Sequence, residues 1–187
     1  ADRLNQTQTE SPLFLTAFTV TSHHPWKSPL PDVQFLPEDG SDYTNYRNAL
    51  PYPDFSLGRL FDQLDPAVRD RTIFIITADT AQPMREHDNN LALFKYLYDE
   101  NVHIPLLIYS PALLGPARRI SQVASHVDLP TTVLDLLRLP ARHHATGRSL
   151  LAVHDAPNSV FFYSPFSGDW LGIREQKWKY FHNSATG

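Results

Sequence analysis

Residues 71–81 read RTIFIITADTA, and this stretch decides the fold. It is apolar at nearly every position from Thr72 to Ala78, the pattern of a strand covered on both faces, as in a parallel sheet. The spacing predicts a strand over residues 71–78, with Asp79 and Thr80 just beyond its C-terminal end. Downstream, residues 104–110 (IPLLIYS) form a second apolar run, closed by Pro111. Upstream, Leu57, Leu60, Phe61 and Leu64 recur at helical spacing and give one apolar stripe on a helix that Pro53 opens. A shorter helix is expected over residues 43–50, ended by Pro51. Alternation of strands and helices with near-continuous apolar strands defines an α/β class.

The rest follows by the same rules. Residues 13–21 (LFLTAFTVT) read as a buried strand running into the loop Ser22-His23-His24-Pro25-Trp26. Residues 27–41, with Pro29, Pro31 and Pro37, read as irregular, and residues 89–99 as a helix. Residues 120–127 are a weaker strand, and Asp128 is the expected N-cap of a helix over residues 130–139. Residues 159–163 and 170–181 read as late strands, the latter as a hairpin.

Bulk properties limit the function classes. The 187 residues fit one domain or a large part of one, and 42% hydrophobic residues suffice for a core. The net charge of -4 offers no basic surface for nucleic acid. No apolar run approaches the roughly 18–20 residues of a membrane span, and no leader is visible at Ala1. Without cysteine, disulfides, thiolate metal sites and a Cys nucleophile are excluded within these residues.

Four stretches together resemble the alkaline phosphatase superfamily, in its sulfatase and lipoteichoic-acid-synthase-like branch. They are FTVTSHHPW (18–26), the helix carrying Tyr52, Asp54 and Gly58, TIFIITADTA (72–81), and the long series IPLLIYSP, SHVDLPTTVLDLLRLP and GRSLL within residues 104–151. GIREQKWKY (172–180) is similar to the terminal strands of such domains. The resemblance implies an alkaline-phosphatase-like mixed, mostly parallel sheet with helices on both faces. It also implies that residues 1–187 are the C-terminal portion of a sulfatase-like catalytic domain, whose N-terminal half is a missing partner.

The implied chemistry is cleavage or transfer of phosphate or sulfate esters by a metal-activated nucleophile. That nucleophile belongs to the absent half, so the isolated chain is expected to turn nothing over. The resemblance places Asp79 as a ligand of a divalent metal (Mn, Mg or Ca), a role a strand-end carboxylate suits. Thr80 stands where the family has a metal-binding His, and a hydroxyl is a far poorer ligand. Either the site is degenerate, leaving a binding or regulatory domain, or another residue such as His87 supplies the nitrogen. His23 matches the family's substrate-contacting His, able to hydrogen-bond an ester oxygen or protonate a leaving group. His126 and the pair His143-His144 read as scaffold and surface. The implied substrate is an anionic ester, with a lipid headgroup and phosphoglycerol-type transfer among the options. The implied location is the periplasmic or extracytoplasmic face of a bacterial inner membrane.

Overall fold

A computed structural model describes residues 1–6, 11–29, 35–87, 90–91, 95–140, 144–152, 156–166 and 168–186. The elements in chain order are α1 (Asp2–Asn5), α2 (Asp42–Ala49), α3 (Pro51–Gln63), α4 (Pro66–Asp70), β1 (Phe74–Thr77), α5 (Asp99–Val102), β2 (Leu106–Tyr109), α6 (Asp128–Leu136), β3 (Ser159–Ser164), β4 (Trp170–Glu175) and β5 (Trp178–Asn183). The chain is α/β. β1 and β2 share a two-stranded sheet, and β3-β4-β5 form a three-stranded one. Two compact units result: one comprises Ala1–Phe74 with Ile108–Ala112, the other Ile75–Leu107 with Leu113–Gly187.

In the first unit, Ser41 caps α2 by accepting the Thr44 N–H at 3.1 Å. Asn48, buried on α2, grips the preceding loop. Its amide oxygen accepts the N–H groups of Phe35 and Leu36, and its amide nitrogen donates to the Leu36 carbonyl at 2.9 Å. The amide thus stands in for backbone that no sheet supplies. α3 begins at Pro51, two residues earlier than Pro53, because Pro at the first helical position forfeits no hydrogen bond. Its apolar stripe is as expected: Leu64 is buried, and Phe61 packs on Phe74 and Tyr109 at ring distances of 4.7 and 5.6 Å. α4 was not foreseen. Asp65 caps it through the Ala67 N–H at 2.7 Å, and Pro66 opens it. Trp26 is buried, edge-on to His24 and Tyr46, and serves the core of this unit.

Residues 13–21 correct the sequence expectation. They belong to neither sheet, and Phe14 and Phe18 are more than 80% exposed. β-propensity favours a strand only where a neighbour completes the ladder, and no described residue pairs with this segment. Residues 120–127 likewise form no strand. The helix expected over residues 89–99 lies partly outside the described residues, and its last residue, Asp99, begins α5.

In the second unit, β3, β4 and β5 are antiparallel, with Phe162 opposite Gly172 and Gly172 opposite Phe181. The expected hairpin is present. One face carries Val160 and Trp170 and is covered by the chain at residues 96–98. Tyr96 packs on Trp170, Tyr98 on Phe181, and buried Leu97 sits over Gly172. A side chain at Gly172 would meet Leu97 Cδ1 at 2.9 Å, so the bare backbone admits Leu97. The opposite face leaves Phe161, Tyr163, Trp178 and Tyr180 exposed.

Asp99, at the first turn of α5, ties this helix to the sheet. Arg174 donates to both carboxylate oxygens at 2.9 Å and Lys179 to one at 2.9 Å. Partial burial opposes ionisation, but the hydrogen bonds and charges of Lys179 and Arg174 outweigh it and hold the Asp99 carboxyl below its ordinary range. A carboxyl depressed on folding stabilises above its unfolded pKa and loses that contribution as pH falls through the folded value. Asp99→Asn is therefore expected to lower Tm at pH 7 by about 2–4 °C, the worth of a half-exposed pair of about 1 kcal/mol. The gap should begin to narrow as pH falls below about 4, the unfolded carboxyl's value, and close only as pH passes through the lower folded value. Thermal unfolding at pH 7 and pH 3 checks this. A gap at pH 3 as wide as that at pH 7 would assign the effect to packing.

α6 begins one residue earlier than the cap assignment implied. Asp128 is its first residue, not its N-cap, and is buried. Its Oδ2 accepts the Ser125 N–H at 2.9 Å and its Oδ1 the Arg148 N–H at 2.8 Å, while the Asn158 amide reaches Oδ2 at 3.4 Å. One carboxylate thus holds the turn before α6 and the segment 147–151. Thr132 adds to this: its hydroxyl donates to the Asp128 carbonyl at 2.7 Å and accepts the Leu150 N–H at 3.0 Å.

Candidate functional site

The site is built where β1 ends. Beyond Thr77 the chain turns at Asp79, whose Oδ1 accepts the Thr80 N–H at 2.9 Å. This local bond fixes the turn and occupies one carboxylate oxygen. Oδ2 makes no hydrogen bond among the described residues. Thr77 anchors the strand end by donating to the Pro105 carbonyl at 2.9 Å. Asp79 and Thr80 line a cavity of about 400 Å³ that lies wholly within the second unit. Apolar and aromatic walls come from Tyr96, Phe162, Tyr163 and Phe166, and polar groups from Asn101, Ser125 and His126. A mostly apolar cleft with a few convergent polar groups is the ordinary form of a ligand site. The Tyr163 hydroxyl donates to Asp169 at 3.1 Å, and that carboxylate raises the phenol above its ordinary value, so Tyr163 stays neutral.

His126 is the residue that the sequence reading left out of the site. The turn at residues 125–128 carries it to the end of β1, where Nε2 lies 3.0 Å from the Ala78 carbonyl oxygen. A carbonyl only accepts, so Nε2 carries the proton and Nδ1 the lone pair. The residues in contact are 48 positions apart. The one local hint was the neighbouring Asp128, whose carboxylate holds the turn through the Ser125 N–H.

The other sequence candidates lie elsewhere. His87 is in the same unit but does not line the cavity. Its Nδ1 donates to both oxygens of Glu100, at 2.9 and 3.0 Å, and its ring stacks on Tyr98 at 4.7 Å. Burial would raise the Glu100 carboxyl. Hydrogen bonds from its own backbone, His87 and Asn90 override that and lower it. His23 belongs to the first unit and is exposed, with Nδ1 donating to the His24 carbonyl at 2.8 Å and Nε2 left as the acceptor nitrogen. His144 is exposed, and His143 lies outside the described residues.

Among the described residues no three His, Cys, Asp or Glu side chains converge on one point. That excludes a closed protein cage within them. It leaves room for an open site, since Mg²⁺ and Mn²⁺ commonly take one or two protein carboxylates and fill the rest of the shell with water and substrate oxygens. Asp79, which lines the cavity together with His126 and whose Oδ2 makes no hydrogen bond among the described residues, fits such a site.

A carboxylate at the C-terminal end of an apolar strand, above a cleft, is where α/β folds place their ligand sites. A solved protein of the alkaline phosphatase superfamily from Vibrio parahaemolyticus superposes with a TM-score of 0.62 at 24% identity, covering 89% of this chain and 38% of that one. BT4656, solved with its substrate D-glucosamine-2-N,6-O-disulfate, gives a TM-score of 0.58 at 24% identity, covering 76% of this chain and 32% of that one. The Sulfatase family model matches residues 1–139, and the chain belongs to the sulfatase family. It is 31% identical to the uncharacterized sulfatase YidJ of Escherichia coli over 56% of its length, and 28% identical to arylsulfatase K of Gallus gallus over 68%. It is also 28% identical to the inner membrane protein YejM of Salmonella typhimurium over 62%. The chain spans only 20%, 26% and 19% of these three relatives.

Proposed function

We propose that these residues are the C-terminal portion of the catalytic domain of a metal-dependent hydrolase acting on sulfate or phosphate esters. The observation that carries this reading is Asp79 at the strand end, lining a 400 Å³ cavity with one carboxylate oxygen that makes no hydrogen bond among the described residues. Membership in the sulfatase family and the sulfated substrate of BT4656 favour a sulfate ester.

In this reading Asp79 holds a divalent cation (Mn, Mg or Ca) through Oδ2. Its Oδ1 stays on the Thr80 N–H, so the carboxylate is oriented before the cation arrives. The cation, when bound, polarises the ester oxygen and makes the attacking group a better nucleophile. The walls formed by Tyr96, Phe162 and Phe166 shelter the ester's organic part and thin the water around the charge. His23 keeps the substrate-contacting role that the family resemblance gives it: its Nδ1–H is committed to the His24 carbonyl, and Nε2 is the nitrogen able to take up a proton. The attacking group comes from residues outside this chain.

The likeness to YejM supports a place at the bacterial inner membrane, with a lipid headgroup as acceptor or donor and phosphoglycerol transfer as the alternative reaction. No helix among the described residues is long and apolar enough to cross a membrane. Thr80 in place of the expected His favours a second reading, a degenerate domain that binds without turnover.

The test uses the full-length protein with Mn²⁺, Mg²⁺ or Ca²⁺ on p-nitrophenyl sulfate, p-nitrophenyl phosphate and a phosphatidylglycerol donor. Turnover that stops with a chelator and returns with metal is expected, largest on the sulfate ester. No turnover on any of the three and no metal bound would leave the degenerate domain as the correct reading.

A further inference from the structure

We infer that His126 supplies the nitrogen ligand of the metal site, replacing the side chain lost at Thr80. This rests on the metal-dependent reading above and assigns a residue to it. Three observations converge. His126 is the only histidine among the described residues that line the Asp79 cavity. Its Nε2–H is fixed on the carbonyl of Ala78, the residue next to Asp79, so the ring is held at the end of β1. Its Nδ1 carries the lone pair and makes no hydrogen bond among the described residues.

The second of these is what a metal-ligating imidazole requires. Such rings almost always donate their other N–H to a backbone carbonyl or carboxylate, which sets the tautomer, orients the ring and raises its basicity. A neutral ring with a free nitrogen is the ligand form. The turn that carries it is also built rigidly: buried Asp128 accepts the Ser125 N–H, and the Leu129 N–H donates to the His126 carbonyl at 3.1 Å. His87 is also held by its Nδ1–H on a carboxylate, that of Glu100, but it stands outside the cavity lining and so brings no nitrogen to Asp79. Thr80 would then keep its place in the turn and leave the coordination to a residue far along the chain.

His126→Gln separates ligation from packing, because the Gln amide keeps an N–H donor for the Ala78 carbonyl and removes the ring nitrogen. The experiment loads the full-length protein with Mn²⁺ and reads affinity by titration and bound nitrogen by pulsed electron paramagnetic resonance. The wild type is expected to bind one Mn²⁺ with a histidine nitrogen coupling. His126→Gln should lose that coupling and bind roughly 10–100-fold more weakly, with unchanged thermal unfolding. Asp79→Asn should lose Mn²⁺ altogether. If His126→Gln keeps the coupling and the affinity while Asp79→Asn abolishes binding, the metal reading stands and the role of His126 is overturned. If the wild type binds no Mn²⁺, both fall.

Discussion

Asp79→Asn in the full-length protein is expected to lower kcat/KM on the preferred ester by about 10³-fold, or about 4 kcal/mol of transition-state stabilisation. The substitution is close to isosteric. The Asn side-chain oxygen still accepts the Thr80 N–H, so the turn beyond β1 is retained. What disappears is the negative charge on the carboxylate that would pair with the cation in the proposed site. Asp79 is exposed and its one hydrogen bond among the described residues lies within its own turn, so stability should stay within the roughly ±0.5 kcal/mol typical of surface positions. The signature is therefore lost rate and lost metal affinity at constant stability. Steady-state kinetics at several metal concentrations, beside a thermal melt, supply the check. If saturating metal restores the rate, Asp79 contributes affinity and the catalytic geometry comes from other ligands. A fall of less than about tenfold at every metal concentration would remove Asp79 from the metal site.

That Asp79 stands out at all comes from a feature the sequence shows openly. An apolar run ending in Asp reads as a strand with the carboxylate at its end, although β1 is half-buried in a two-stranded sheet rather than covered on both faces as the run alone implies. The stripe on α3 was readable for the same reason, since periodicity carries its own burial pattern. Residues 13–21 misled because a strand also needs a neighbour to accept its hydrogen bonds, and composition does not say whether one is present. Residues 120–127 failed in the same way. They give up strand geometry to the turn at residues 125–128 that launches α6. His126 was missed for a different cause. Its partner Ala78 is 48 residues away, and nothing near His126 in the chain reports a contact at that range. Reading it as scaffold was reasonable from its neighbours, because Asp128 beside it is scaffold, a buried carboxylate with its oxygens on backbone and amide N–H groups.

Gly147→Ala is the substitution expected to damage the fold most. A Cβ at position 147 would lie 1.9 Å from the Val127 carbonyl oxygen, 2.4 Å from its carbon and 2.6 Å from the Asp128 Cα. All three are backbone at the start of α6, so no rotamer change relieves the clash. The segment has little freedom to retreat either. The Thr131 hydroxyl donates to the Gly147 carbonyl at 3.0 Å, the Arg148 N–H to Asp128, and the Leu150 N–H to Thr132. The Ser149 hydroxyl donates to Asp135. Moving the chain by the needed ångström or more breaks several of these and leaves a buried carboxylate short of a donor, at about 1–3 kcal/mol for each orphaned group. A total near 3–5 kcal/mol corresponds to roughly a 10 °C fall in Tm for a domain of this size. Gly58→Ala is the matched control. That glycine lies inside α3 with open space where its Cβ would go, so alanine should stabilise by up to about 1 kcal/mol. Thermal unfolding of both variants reads the contrast, and a loss under about 2 °C for Gly147→Ala would mean that the segment yields more easily than its hydrogen bonds imply. The damage should also reach the site. Asp128 holds the Arg148 N–H with one oxygen and the Ser125 N–H with the other, so displacing residue 147 loosens the turn that sets His126 against β1.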